Sequence, residues 1–509
     1  MTEPISANNK HVVTAESARL YFSTRLSTLL SFPGTSIKAL SPVPAIRAMS
    51  LSNWNYFGMG FFAWTIDSMD FFCVSASATA IAESLNVSVT DITWGITLVL
   101  MLRSVGAFLF GIIGDNYGRK WTLITCLAAF VVLEIGTGFV QTYEQFLAVR
   151  AIFGIFMGAC WSLAASTAME DAPLISRGFL SGLFLPGYNL GYIFAVIFWR
   201  AFEFTPHSWR ALFWFSAAPP FLVILWRLPF PEMKFFKEYQ QTILEKNLNS
   251  PEAARTDNAI VHFFKTNKLL KFFKDDWLLF VYLIFLMAGF NFMSHGSQDL
   301  FPTMLKNQVG LGSDAITVTM VVVNLGALLG GFCIGQFTEL TGRRFGIMFC
   351  CVFGGAFIYP TFFIHNQSAI MGAGFFLQFA VMGTWGIASV HLFELTAKSP
   401  YRTMISGLAY QLGNLASSAS STIESSIGSR FPLDTVNGKT AHGAYNYGKV
   451  MAIFMGCVFG YMLIISFLGP EKFHNELQTE EMEEVRNLGQ IEDGLSVISS
   501  KPEVDHYES

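Results

Sequence analysis

Charge is what this sequence has least of. Asp, Glu, Lys and Arg make up 13% of its 509 residues, about half of the roughly 25% usual in soluble domains. Hydrophobic residues make up 52%. Much of the surface must therefore face something other than water, which excludes an ordinary soluble protein. The net charge of −4 is too small to suggest a nucleic-acid partner. Cysteine is scarce. Its seven positions (73, 126, 160, 333, 350, 351 and 457) all fall in apolar stretches, and none has metal-ligand spacing. They are expected to be buried small hydrophobes, with no disulfide framework. Residues 1–50 lack the charged, apolar and small-residue succession of a cleavable signal. The first apolar segment is expected to target the chain. No cofactor, metal or enzymatic chemistry is expected.

What the chain does have is Phe, at 52 positions, and Gly, at 43. Gly lets helix backbones approach closely in lipid. A membrane-spanning helix needs about 20 mostly apolar residues. Twelve such segments occur, roughly at 56–82, 92–113, 121–140, 146–168, 178–200, 209–228, 277–301, 314–337, 346–364, 369–393, 403–425 and 448–469. The longest polar interruption, 229–275, follows the sixth. The expectation is an all-α polytopic membrane protein with six-helix bundles at 56–228 and 276–470. The flanking tails, 1–55 and 471–509, are polar and expected to lack structure.

Lys and Arg set the orientation. Arg119, Lys120, Arg177, Arg343, Arg344, Lys398, Arg402 and the central loop fall on the side shared with both tails. The opposite loops hold only Arg200, Arg210, Lys306, Arg430, Lys439 and Lys449. Both termini are thus expected in the cytoplasm. The sequons Asn86-Val-Ser88 and Asn366-Gln-Ser368 then lie outside, in loops short enough that modification is not expected.

The two halves repeat. GIIGDNYGRK begins at Gly111 and GQFTELTGRR at Gly335, pairing Asp115 with Glu339, Gly118 with Gly342 and Arg119 with Arg343. Glu170 pairs with Glu394 at the same offset. One residue later, Ser181-Gly182-Leu183 and Asn189 match Ser406-Gly407-Leu408 and Asn414. Similar halves around a site at mid-membrane are a recurrent transporter design.

Gly111-x-x-x-Asp115-x-x-Gly118-Arg119-Lys120 resembles the loop signature of the major facilitator superfamily. The resemblance implies twelve helices in two pseudo-symmetric six-helix bundles. It also implies that Asp115, Gly118, Arg119, Glu339 and Arg343 lock the cytoplasmic ends of helices. Asn116 stands where that family usually has Arg, which puts the strength of the lock in doubt. Arg150, with Gly154 and Gly158, resembles the helix-4 motif of the same superfamily, a close-packing face with a gating role for the arginine. The alternative is an Arg150 that snorkels to the inner interface.

Charges inside spanning helices are costly and tend to be functional. Arg103 lies mid-way along the second segment. Its planar fork suits a carboxylate. The alternative is an ion pair with Asp67 or Asp70, which lie three apart on one face of the first segment. Either acid is also a candidate proton carrier. Glu134 has no account from the sequence.

The most distinctive stretch runs from Asn291 to Thr303 at the outer half of the seventh segment. At about 100° per residue, Asn291, Ser294, His295, Gln298 and Asp299 share one arc. Such a stripe cannot face lipid. It lines a cavity or binds another helix. His titrates near physiological pH, and an acid one turn away can set its protonation.

This stretch resembles the Asn-x-x-Ser/Thr-His-x-Ser/Thr-Gln-Asp-x-x-x-Thr signature of fungal Jen-type carboxylate/proton symporters, matching throughout. The resemblance covers roughly 55–470. It implies transport roles for Asn291, His295 and Asp299, an essential Arg103, and a substrate-selecting pair in Gln411 and Asn414. Pro186 lies where that family varies. The implied function is proton-coupled import of short carboxylates across the plasma membrane by a monomer in lipid. Monocarboxylates such as lactate, pyruvate and acetate compete as substrates with four-carbon dicarboxylates such as succinate and malate. The sequence keeps open a sugar or polyol porter, on the cues PFPEMKFF and LGPEK, and a non-transporting nutrient receptor on the same fold.

Overall fold

The computed structural model describes residues 15–30, 32, 40–87, 89–248, 277–399, 401–428, 430–432, 435–436, 439–440 and 445–474. All twelve expected spans are helical. Spans 1 to 6 are Leu51–Ala76 continued by Ala78–Leu85, Val89–Tyr117, Arg119–Phe139, Tyr143–Met169, Leu174–Phe202 and Trp209–Arg227. Spans 7 to 12 are Trp277–Gln298, Ser313–Thr341, Arg343–Phe362, Gln367–Leu395, Arg402–Ser417 continued by Ser420–Gly428, and Tyr447–Leu468.

Ten helices among the described residues are long and apolar enough to cross a membrane by composition alone. Spans 1 and 11 are not among them, and the reason is their polar content. Asp67, Asp70, Arg402, Gln411 and Asn414 are all buried within the bundle, so these helices have less need of an apolar circumference. Several spans break where their sequence demands it. Span 5 restarts at Pro186, whose missing N–H suits the first turn of a helix. Span 7 ends at Gln298, and the chain resumes in a short helix, Phe301–Met304, with Pro302 in its first turn.

Glycines make the seams between the halves. A Cβ on Gly111 of span 2 would meet the Met404 backbone of span 11. A Cβ on Gly182 of span 5 would meet the Gly331 carbonyl of span 8, and one on Gly335 the Gly178 carbonyl. These two crossings are the paired positions of the internal repeat.

Two expectations are corrected. The amino-terminal tail is not without structure: Ala15–Ser23, Arg25–Leu30 and Pro42–Ala48 are helical. Tyr21 and Arg25 donate to the carbonyls of Leu468 and Gly469 past span 12, and Ser176 of span 5 donates to Ala45. The central loop begins with a helix, Lys234–Leu248. The expectations for residues 1–14, 249–276 and 475–509 lie outside the described residues. Of the seven free cysteines, five are buried, but Cys333 and Cys457 are exposed. An apolar stretch has an outer face as well as a core face, and hydropathy alone does not separate them.

Candidate functional site

Arg103 is placed by a glycine seam. Span 4 crosses span 2 so closely that a Cβ on Gly158 would collide with the Arg103 carbonyl oxygen, and one on Gly154 would press on Val99. The other half closes on the same turn, since Gln411 of span 11 donates to the Gly158 carbonyl at 3.0 Å.

The guanidinium of Arg103 is only 2% exposed. Its nearest carboxylate is Asp67, at a long 3.9 Å. Nε and Nη2 of Arg103 and both Asp67 oxygens have no hydrogen-bond partner among the described residues. Aromatic rings fill the space around it. The guanidinium carbon lies 6.0 Å from the Phe71 ring centre and 5.9 Å from that of Tyr410. Tyr410 stacks on Trp161 at 4.7 Å, and Trp64 stacks on Tyr188 at 5.5 Å. The Tyr188 phenol sits within the fields of Tyr410, Arg103, Asp299 and Asp67, so both halves present charge to one centre.

Asp70, on the same helix as Asp67, is also fully buried, and neither of its oxygens has a hydrogen-bond partner among the described residues. It feels Glu134 and Arg150. Glu134, unexplained by the sequence, has a partner: Arg150 Nη1 donates to it at 3.1 Å, and Ser216 donates to its other oxygen at 3.3 Å. Arg150 does not snorkel to the inner interface. It is 1% exposed, lies over the Phe153 ring, and sits near the end of span 4 remote from Gly118. A buried ion pair replaces the water that snorkelling would have reached.

The polar stripe of span 7 divides between two tasks. Ser294 accepts from the Trp385 indole at 2.7 Å, and Gln298 donates to Gln378 at 3.0 Å, both partners on span 10. Asn291 donates to its own helix at Met287. These three bind helix to helix or helix to itself. His295 and Asp299 are different. His295 Nδ1 lies 3.0 Å from Asp299 Oδ2, with side chains 32% and 39% exposed, and Asn414 lies within hydrogen-bonding reach of the imidazole. Gln411 is buried, and its carbonyl oxygen has no hydrogen-bond partner among the described residues. Pro186 packs at the crossing of spans 5 and 8 near Gly331.

At the end of the bundle bearing Gly118 and Gly342, the halves are latched. Asp115 of span 2 accepts from the backbone N–H groups of Thr403 and Met404, at 3.2 and 2.9 Å, and so caps span 11 across the seam. Arg119 bridges Asp115 at 3.0 Å and Glu170 at 3.1 Å, and Arg402 reaches Glu170 at 2.6 Å. Burial works against ionisation of Glu170, but Arg119 and Arg402 outweigh it and hold the carboxyl below its usual range. The second copy repeats the plan. Arg343 bridges Glu339 and Glu394, each at 2.8 Å, and Glu339 lies against Gly178 of span 5. Asn116 bonds its own helix at Ile112, so the latch forms without it.

The two Pro-Glu cues also receive a role. Glu232 accepts from Lys120 N at 2.9 Å, and Glu471 accepts from Arg343 N at 2.5 Å. Each carboxylate thus caps the helix that follows a repeated loop, favourably placed at a helix N-terminus. Gly118 and Gly342 take φ of +101° and +85° there, conformations open to glycine. The sequence did not single out Trp385, Tyr410 or Glu424. The first two read as apolar bulk, and Glu424 lies in a serine-rich run at the very end of the eleventh expected segment.

Two latched six-helix bundles around buried, incompletely paired charges define a membrane transporter of the major facilitator type, not an enzyme. The chain belongs to the sugar (and other) transporter family, whose model matches residues 40–485. It is 45% identical over 503 residues to a carboxylic acid transporter protein homolog of Saccharomyces cerevisiae, covering 96% of this chain and 80% of that protein. It is 24% identical over 361 residues to the cis,cis-muconate transport protein of Acinetobacter baylyi, covering 70% and 84%. The Jen-type resemblance is upheld by these relatives. Among solved structures, the Escherichia coli proton:xylose symporter XylE matches with a TM-score of 0.63 at 17% identity, over 85% of this chain and 99% of that one. That likeness concerns the fold.

Proposed function

We propose that this protein imports short-chain carboxylates together with a proton across the plasma membrane, with both termini in the cytoplasm. The observation that carries the reading is Arg103, a buried guanidinium with two nitrogens free of hydrogen bonds beneath Tyr410 and Phe71. An unsatisfied buried cation is costly and favours an anion. A carboxylate satisfies its fork with two parallel bonds. Relatives named for carboxylic acids, cis,cis-muconate and sialic acid support that substrate class.

The latched end is the cytoplasmic one on the distribution of Lys and Arg, so this conformation is the one closed to the cytoplasm. An anion entering from outside meets His295 and Asp299, then Arg103. A proton on the span-7 pair brings the loaded site closer to neutrality, and a neutral site is cheaper to occlude in lipid. Asp67 and Asp70 are the competing proton carriers. Gln411 and Asn414 select among acids from span 11, and the protein works as a monomer.

Proteoliposome uptake of labelled lactate, succinate and glucose, each with and without a pH gradient, tests the reading. Accumulation of an acid driven by the gradient is expected. Glucose uptake indifferent to pH would replace the proposal with a sugar porter.

A further inference from the structure

Glu424 stands out on the continuation of span 11, Ser420–Gly428. It is 0% exposed, and neither carboxylate oxygen has a hydrogen-bond partner among the described residues. Ser417 and Ser420 donate to backbone carbonyls of their own helix rather than to Glu424. The helix packs against spans 7 and 12. Span 7 presents His295 and Asp299. From the span 12 side come Lys449, which lies over the Phe431 ring, Tyr447, and the preceding Tyr445 and Arg430. Arg430 is exposed, and Tyr445 feels the field of Glu424. The charge that acts on Glu424 is Asp299, of the same sign.

An ionised carboxylate, buried, unbonded and facing a second carboxylate, is strongly disfavoured. Asp299 has His295 as a cationic partner and partial access to water; Glu424 has neither. We propose that Glu424 is a proton-binding residue of this carrier, coupled to the span-7 acid Asp299 by like-charge repulsion so that it keeps its proton where Asp299 carries its charge. The proposal rests on the reading that the span-7 pair takes part in proton-coupled transport, and it adds the acid that sets when that pair can ionise.

Its consequence is linkage between sites. With Glu424 protonated, the outer site holds only the His295–Asp299 pair, which as an ion pair carries no net charge. When Glu424 loses its proton, the site gains a negative charge that repels an incoming carboxylate. Substrate affinity then weakens as external pH rises. The O–H bond on Glu424 breaks as its proton passes outward to water by way of the partly exposed His295–Asp299 pair, and it re-forms by the same route, with no other reactant.

Two readouts test it on the full-length protein. The first is infrared difference spectroscopy between neutral and alkaline pH, without substrate. A protonated-carboxyl band that disappears in Glu424→Gln and returns, shifted, in Glu424→Asp is expected. A spectrum unaltered by Glu424→Gln overturns the proposal, whatever is transported. The second is lactate or succinate binding across pH. Wild-type affinity is expected to fall by up to about tenfold per pH unit, the limit for one linked proton. Glu424→Gln is expected to flatten that slope while still binding at neutral pH. An unchanged slope in Glu424→Gln overturns the role of Glu424. A wild-type protein that binds neither acid, but keeps the infrared band, overturns the carboxylate reading and leaves Glu424 as a proton site.

Discussion

The Arg103 guanidinium and the Asp67 carboxylate approach each other to 3.9 Å, yet neither spends its hydrogen bonds on the other. The sequence left two fates for Arg103, a substrate clamp or an ion pair with span 1. The structure shows a pair too long to satisfy either partner. Asp67 lowers the cost of holding a cation at mid-span while leaving the fork available.

Arg103→Lys is therefore expected to impair transport. An ammonium keeps the charge beside Asp67 but not the two parallel donors. Losing one charge-assisted bond costs about 1.5–3 kcal/mol, or roughly tenfold to a hundredfold in affinity. Binding and uptake of labelled acids measure this. Unchanged values in Arg103→Lys would remove the clamp.

Asp299→Asn and His295→Ala are expected to lose proton-driven accumulation while retaining counterflow exchange. Asp67→Asn is the comparison. The two side chains pair at 3.0 Å, so both variants should show the same defect. Should both still concentrate substrate while Asp67→Asn fails, the proton site belongs to span 1.

Gly158→Ala is expected to destabilise the protein by about 1–3 kcal/mol through overpacking, because the new Cβ meets the Arg103 carbonyl. It should weaken substrate binding too, since spans 2 and 4 must part where Arg103 is held. Thermal unfolding in detergent and a binding isotherm read the two effects separately. Gly355→Ala, where a Cβ meets nothing within 4 Å, is the control.

Asp115→Ala is expected to open the latched end. It strips the acceptor from the Thr403 and Met404 N–H groups and leaves Arg119 with Glu170 alone. Labelling of a single introduced cysteine at that end should quicken. Acid should act differently. Folded Glu170 titrates below its unfolded value, so its stabilisation is present above the usual carboxylate range near 4.3 and is lost as pH falls through the folded value. Labelling should thus stay constant on mild acidification and rise only below about pH 4.

Gln411→Ala and Asn414→Ala are expected to reorder competing acids more than they change protein abundance. Gln411 carries a structural load as well, through Gly158. Its variant should lose thermal stability, while Asn414→Ala should not. A ranking of acids unmoved by either substitution would assign both residues to packing.

Much of this protein is written in composition and spacing. Lipid leaves a chain few options, so mostly apolar stretches located all twelve spans, spans 1 and 11 despite their polar content, and the repeat of Asp115–Arg119 in Glu339–Arg343 announced two similar halves. The polar arc of span 7 was legible because a helix has one period. Its division was not. Ser294 and Gln298 bond span 10, whereas His295 and Asp299 pair with each other and stay partly exposed, and only the rotation of span 7 against its neighbours decides that. Partners were equally hidden. Glu134 meets Arg150 16 residues away, and Asp115 caps a helix 288 residues on. Glu424 lay at the very end of the eleventh expected segment, and only the packing of span 11 shows that it is buried. Sequence fixes which groups are costly to bury in lipid; only packing decides which of them are satisfied, and unsatisfied ones such as Arg103, Asp67, Asp70 and Glu424 are where this carrier's chemistry is expected.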